Sequence, residues 1–196
     1  MAARILLTGF EPFHSSKRNP SQEVVKRIEH PALVAKEILP VVFGESARRL
    51  IELINEHAPE VVISLGQAEG RTQITPERVA INLDDARIAD NAGNWPKESP
   101  IVADGPTAYF TTLPITRIVE SLNEAGIPAA ISLSAGTFVC NHIFYAMQRY
   151  CASKEIKSGF IHLPLMNEQS EEFPGLFTMD INEMVRGMNL VLDEVS

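Results

Sequence analysis

Cysteine is nearly absent: Cys140 and Cys151 are the only two in 196 residues. That excludes a scaffold stapled by several disulfides and fits a reducing compartment. Positive charge is also scarce. Seventeen Lys and Arg against 25 Asp and Glu give a formal charge of −8, and no Lys/Arg run exceeds a pair. A phosphate-binding surface needs clustered cations, so no nucleic-acid partner is expected. No apolar stretch approaches the roughly 20 residues that cross a bilayer, so no membrane partner is expected either. The opening MAARILLTGF is too short an apolar run for a signal peptide and leads straight into a strand-like segment. Cytoplasm is the expected location. Neither a GxGxxG nor a GxxxxGK pattern occurs, and Gly66-Gln-Ala-Glu-Gly70 matches neither, which argues against nucleotide binding. No CxxC or HxxxH spacing occurs, so neither a metal nor another cofactor is expected.

What is present is a globular composition, 45% apolar, in a length that suits one domain spanning residues 1–196. Short apolar, β-branched runs recur at 4–8, 36–41, 61–65, 129–132 and 159–163. Several are hydrophobic almost throughout, as strands covered on both faces should be. Between them lie amphipathic stretches at 21–29, 45–57, 115–124, 141–153 and 180–195. Ala58-Pro59 stops the second, and Gly126 with Pro128 stops the third. This alternation predicts an α/β fold: a three-layer α/β/α sandwich around a largely parallel, mixed central sheet. Residues 69–106 break the rhythm with Asp, Asn, Gly and Pro. The Ile, Val and Trp content there predicts an ordered functional segment, with a short strand at 79–83.

Cys140 stands where a strand end passes through the small residues Ser-Ala-Gly-Thr into a helix. A helix N-terminus favours thiolate over thiol, and its free N–H groups could receive an oxyanion. The competing reading is a small buried hydrophobe. Cys151, mid-helix, is expected to be structural. A thiol nucleophile needs a base. His30 and His57 fit surface positions, His142 lies two residues from Cys140 on a different helix face, and His14 sits in a loop. His162 lies near the C-terminal end of a buried strand, the edge where open α/β sheets place ligands, and pairs most naturally with Cys140. For a carboxylate to orient the imidazole, Glu77, Asp84, Asp85 and Asp90 all compete.

With these residues assembled, the chain resembles the pyroglutamyl peptidase I family of cysteine peptidases over nearly its whole length. The resemblance is carried by Leu7-Thr-Gly-Phe-Glu-Pro-Phe13 with Asn19-Pro20, and by Gly66-Gln67 through Ile74-Thr-Pro-Glu-Arg-Val-Ala-Ile-Asn82. Asp85-Ala-Arg-Ile88, Asp90-Asn91, Ser132 through Asn141, Phe160-Ile-His-Leu-Pro164 and Glu168-Gln169 complete it. It implies a Cys–His–Glu triad on Cys140, His162 and Glu77. It places Phe10, Phe13, Ile88, Phe138 and Val139 around a ring pocket, Gln67 near the lactam and Arg87 close to the oxyanion. It implies an assembly of identical subunits, often a tetramer. His14-Ser-Ser16 and Glu69 depart from the family's usual glycine-rich turn and small residue.

The implied activity is hydrolysis of the amide bond after an N-terminal pyroglutamyl residue, through a thioester on Cys140, with pyroglutamyl peptides as substrates. The ring is a neutral lactam, which an apolar pocket with a few polar groups would suit. The alternatives are a lactam- or amide-binding module without turnover, or a related thiol amidohydrolase with another substrate.

Overall fold

The computed structural model describes residues 4–196; the reading of the chain start extends into residues 1–3, which lie outside them. Five strands form the central sheet. They are β1 (Ile5–Phe10), β2 (Leu33–Leu39), β3 (Val61–Gln67), the two-residue β4 (Thr75–Pro76) and β7 (Lys157–Leu163), in the order β2-β1-β3-β7-β4. All neighbours are parallel except β4, which runs antiparallel to β7. Outside it, β5 (Val79–Ile81) pairs with β6 (Ala108–Phe110), and β8 (Leu165–Met166) with β9 (Thr178–Met179).

Side-chain alternation along the strands divides the core in two. Ile5 and Leu7 of β1, Ile63 and Leu65 of β3, and Ile161 and Leu163 of β7 face one way. Helices α1 (Pro20–Arg27), α3 (Ile115–Glu124) and α5 (Ile181–Val195) cover that face. Leu6, Val62 and Phe160 face the other way, towards α2 (Glu45–His57) and α4 (Val139–Ala152). The expected three-layer α/β/α sandwich is therefore present. Burying each such side chain contributes about 1.5–3 kcal/mol, enough to make the sheet a rigid base for whatever lies at its edge.

Local signals account for the helix limits. Asn19 caps α1, its Oδ1 accepting from Ser21 N–H, with Pro20 at the first helical position. Asp180 caps α5 in the same way. Ala58 ends α2 in a left-handed conformation, φ 44°.

One expected strand, 129–132, is not a continuous strand. Its backbone does run parallel to 74–78: Ile74 N–H donates to Pro128, Ala130 to Ile74, Ser132 to Pro76 and Arg78 to Ser132. The missing rung is the one Pro76 would donate, and proline has no N–H. The ladder is thereby reduced to two isolated bridges.

The chain leaves β1 for β2 on one side and returns to β3 on the other. The C-terminal ends of β1 and β3 thus flank a topological switch point, the place where such sheets open a crevice.

Candidate active site

Phe10 ends β1, Gln67 ends β3, and His162 is the penultimate residue of β7. Gly66 is the parallel partner of His162, so both project to the same face of the sheet, as does Phe160 two residues earlier. That is the face covered by α4. A methyl group placed on Gly66 would lie 2.8 Å from Cζ of Phe160 and 3.1 Å from Sγ of Cys140. The sulfur therefore occupies the space that a side chain at 66 would take, beside the strand position of His162. The His162 ring itself packs against Phe160, with centroids 4.9 Å apart. Cys140 and His162 share one sheet edge, and only glycine at 66 leaves room for the sulfur.

Of the four competing carboxylates, the one in contact with His162 is that of Glu77. It is fully buried, and its Oε1 lies 2.7 Å from His162 Nδ1. A carboxylate only accepts, so Nδ1 carries the proton and Nε2 presents its lone pair. Glu77 is presented by the segment after β4, which Pro76 and the Ser132 pairing hold against β7. Its competitors are engaged elsewhere. Asp84 bonds His142, Asp85 faces Lys97 at 3.8 Å, and Asp90 accepts four hydrogen bonds from Phe43, Ala92 and Asn94.

Sequence reasoning missed Arg71. Its Nη1 sits 2.7 Å from the same Glu77 Oε1, it also bonds Thr75 Oγ1, and its Nη2 donates to Ser134 O at 3.0 Å. The only available signal was its presence as one of two basic residues in the matched stretch, six positions before Glu77. Burial alone would push the Glu77 carboxyl up. The bond from His162, that residue's charge, the Ser132 hydroxyl and Arg71 outweigh it and hold Glu77 below its ordinary value.

Cys140 is the second residue of α4, whose cap, Phe138, offers no side-chain acceptor. The first intrahelical bond runs from His142 N–H to Phe138 O, leaving the N–H groups of 139–141 without helical partners. Contrary to the expected thiolate, burial, and next the Glu77 charge, push the thiol up to about 12. The thiol's own backbone N–H and Arg71 act in the lowering direction but are outweighed. Burial likewise lowers His162, against the raising influence of Glu77. Both directions favour a neutral thiol beside a neutral imidazole. Cys151 is fully buried in the α4 face of the core, as expected.

Next to the sulfur lies a small, mainly apolar cavity at the switch point. Phe10, Phe13, Val41, Phe138 and Val139 wall it, and Asn19, Gln67 and Cys140 complete it. Of the residues expected in the ring pocket, Ile88 is half-buried and does not line this cavity. Arg87 is exposed and enters no ion pair among the described residues. His14 is exposed, while His30 and His57 are half-buried near the surface, beside Asp193 and Glu56. Among the described residues no group of three His, Cys, Asp or Glu is arranged to hold a metal.

His142 forms a second histidine–carboxylate pair, Nδ1 to Asp84 Oδ2 at 2.8 Å, while its Nε2 accepts from Gly44 N–H at 3.2 Å. Its ring meets Phe43 edge-on, and Phe43 meets Phe138 of the cavity wall in the same way. Both nitrogens are occupied, so His142 is bound into the framework around the cavity.

A family model described as pyroglutamyl peptidase matches residues 3–196. This chain belongs to the pyroglutamyl peptidase family. The pyrrolidone-carboxylate peptidase of Vibrio vulnificus (strain YJ016) is 48% identical over 193 residues, covering 96% of this chain and 91% of the relative. That of Bacillus cereus (strain ATCC 10987 / NRS 248) is 47% identical over 196 residues, with the same coverage. The crystal structure of pyroglutamyl peptidase I from Bacillus amyloliquefaciens superposes with a TM-score of 0.95 at 43% identity, over 100% of this chain and 95% of that one. A mutant pyrrolidone carboxyl peptidase from Pyrococcus furiosus gives 0.93 at 38% identity, over 98% and 97%. Family membership makes the chain a cysteine peptidase of the pyroglutamate-removing kind.

Proposed function

We propose that Cys140, His162 and Glu77 are nucleophile, base and orienting carboxylate in the removal of N-terminal pyroglutamate from peptides, all within one catalytic unit spanning residues 1–196. The observation that carries this reading is the buried 2.7 Å contact of Glu77 with His162, on the sheet face where Cys140 Sγ fills the space above Gly66. The apolar cavity beside the sulfur takes the ring, with Phe10, Phe13, Phe138 and Val139 against its methylene faces. An aminopeptidase site built on carboxylates would seek an ammonium ion, which pyroglutamate lacks.

The resting thiol is neutral, so attack and proton transfer go together. Nε2 of His162 takes the thiol proton as sulfur adds to the carbonyl carbon of the pyroglutamyl amide. Glu77 fixes the imidazole tautomer and stabilises the imidazolium that forms. The unpaired N–H of Cys140 faces the developing oxyanion, a contribution on the order of 3 kcal/mol per donor. His162 then passes its proton to the leaving amine, forming the thioester. Water attacks the thioester with His162 as base, releasing pyroglutamate and restoring the thiol.

The assay that tests this uses a pyroglutamyl reporter amide beside its prolyl counterpart. Cys140→Ala should abolish turnover without unfolding the chain, whereas Cys151→Ala should keep most of it. Retained activity in the Cys140 variant overturns the assignment, and equal cleavage of the prolyl amide overturns the substrate. We also propose a homo-oligomer, the assembly that the family resemblance implies, with Phe110 and Leu133, 70% and 69% exposed, as the candidate contact residues. A solution mass equal to 21.6 kDa would exclude that assembly. Two free thiols support work in a reducing compartment such as the cytoplasm. Among the described residues no helix is long and apolar enough to cross a membrane.

A further inference from the structure

Gln67 is only 7% exposed, lines the cavity beside Cys140, and leaves its Nε2 without a hydrogen-bond partner. Its other amide atom, Oε1, accepts from Nε2 of Gln169 at 2.9 Å. A buried donor without a partner is costly, and one at a cavity wall points to an acceptor on a ligand. Which amide atom faces the cavity is decided further back, at Gln169.

Gln169 closes a single 3₁₀ turn, Asn167–Gln169, after β8 and is fully buried. Its Oε1 accepts from the backbone N–H of Met166 at 3.1 Å, and its Nε2 lies 3.2 Å from the backbone carbonyl of Arg18. A backbone N–H can only donate and a carbonyl can only accept, so these two groups allow Gln169 one orientation. Its Nε2 must therefore face Gln67, and the atom of Gln67 that meets it must be the acceptor. The Gln67 amide cannot turn over without breaking that bond. Ser16 Oγ, 3.1 Å from the same Nε2, belongs to the turn that departs from the family pattern, and it donates within reach of Arg18 O and Glu172.

We propose that Gln169, without touching substrate, sets the polarity of the ring pocket. It holds Gln67 with its N–H₂ group directed into the cavity and so commits the pocket to a ring carrying a carbonyl acceptor at that point. A lactam ring satisfies the donor. A proline ring, with a methylene there, leaves it buried and unpaired, which is the circumstance in which sites reject an analogue most strongly. Gln169 is thus a positioning residue for specificity. The inference rests on reading the cavity as the ring pocket, and its test separates the two.

Steady-state constants on the pyroglutamyl reporter amide are measured for Gln67→Leu, Gln169→Leu, Gln169→Glu and the double Gln67→Leu/Gln169→Leu variant, with thermal melts alongside. Each Gln169 variant should raise KM about tenfold, the equivalent of one lost hydrogen bond, with kcat held within about threefold. Gln169→Glu should be the worse of the two although it is the closer in shape. Its carboxylate still accepts from Met166 but has no hydrogen for Gln67, so the Gln67 amide turns to donate to it and brings its carbonyl oxygen into the pocket. The double variant should be no worse than Gln67→Leu alone, because the Gln169 effect passes through Gln67. If Gln67→Leu raises KM while Gln169→Leu does not, the relay is wrong and the ring pocket stands. If Gln67→Leu leaves KM unchanged, both fall. Additive effects, or a loss of melting temperature and kcat with KM untouched, would make Gln169 merely structural. Should one Gln169 variant fail to fold, the other and the Gln67 comparison decide.

Discussion

At the scale of single residues, the site depends as much on a missing side chain as on those present. Gly66 lies at the penultimate position of a buried parallel pairing, where a side chain would ordinarily stabilise the strand. Alanine there would bring its Cβ to 2.8 Å from the Phe160 ring, closer than real Cβ atoms approach, and to a tight 3.1 Å from the sulfur. Neither neighbour can retreat freely, since Phe160 is fully packed and Cys140 is fixed in the first turn of α4. Gly66→Ala should therefore keep the fold and displace the Cys140 sulfur. A misplacement on the order of 1 Å costs about a hundredfold in rate, so kcat for the reporter amide should fall by about that factor. Wild-type kcat in that variant would show that the sulfur does not need this space. The residues of the proposed triad were legible in part from local chemistry. A cysteine at a strand-to-helix turn and a histidine ending a buried strand are unusual positions, and both stood out. Glu77 did not, because its burial comes from Ser132 and His162, distant in sequence, and the family resemblance alone selected it. Arg71 was illegible for the same reason. The Gln67–Gln169 bond spans a hundred positions, and no local pattern announces it.

At the scale of elements, periodicity marked α2 and α3 to the residue, and β1 and β3 nearly so. It found the short β5 within the expected 79–83 but missed β4 and the interrupted pairing at 129–132. Thr75–Pro76 is two residues long, and the 129–132 run reads as a strand by its apolar content but loses a rung at Pro76. The long segment 69–106 is ordered, as its composition suggested, though chiefly by polar ties: Asp84 with Ser99, Trp95 Nε1 to Ala86 O, and Asn91 to Glu11. A further tie joins three elements. His142 on α4 links Asp84 of the segment to Gly44, the residue capping α2. Asp84 Oδ1 already lacks a partner, so removing His142 strands a buried carboxylate. His142→Leu should lower stability by about 2–4 kcal/mol, read as a drop in melting temperature of roughly 5–15 °C. The double variant His142→Leu/Asp84→Leu should recover much of that loss, because the penalty lies in the orphaned charge. A single variant that melts with the wild type would show that the tie is decorative.

At the scale of the whole molecule, acid should act in two separate stages. His162 is lowered from its ordinary 6.5 chiefly by burial, so it stays neutral to a pH below that value, and as the proposed base it should lose activity on protonation. A depressed histidine also favours the fold only above its unfolded value, so this contribution begins to erode below pH 6.5. Glu77 and Asp90 are held below their ordinary 4.5 and 3.8, with their hydrogen bonds outweighing burial. Depressed carboxylates stabilise the fold above those values and cease to do so as pH falls through the lowered ones. Activity should accordingly vanish well before the chain unfolds. A profile of kcat/KM should show an acid limb with its midpoint below 6.5, while circular dichroism at pH 5 still reports a folded protein. The Cys140 thiol, near 12, supplies no limb in the neutral range. Arg71 gives the sign of the control. Its charge lowers His162, so Arg71→Met should move the acid limb towards higher pH. A limb that stays in place would mean that the guanidinium does not act on the imidazole, and a wild-type midpoint above 6.5 would mean that His162 is raised, not lowered, in the folded protein.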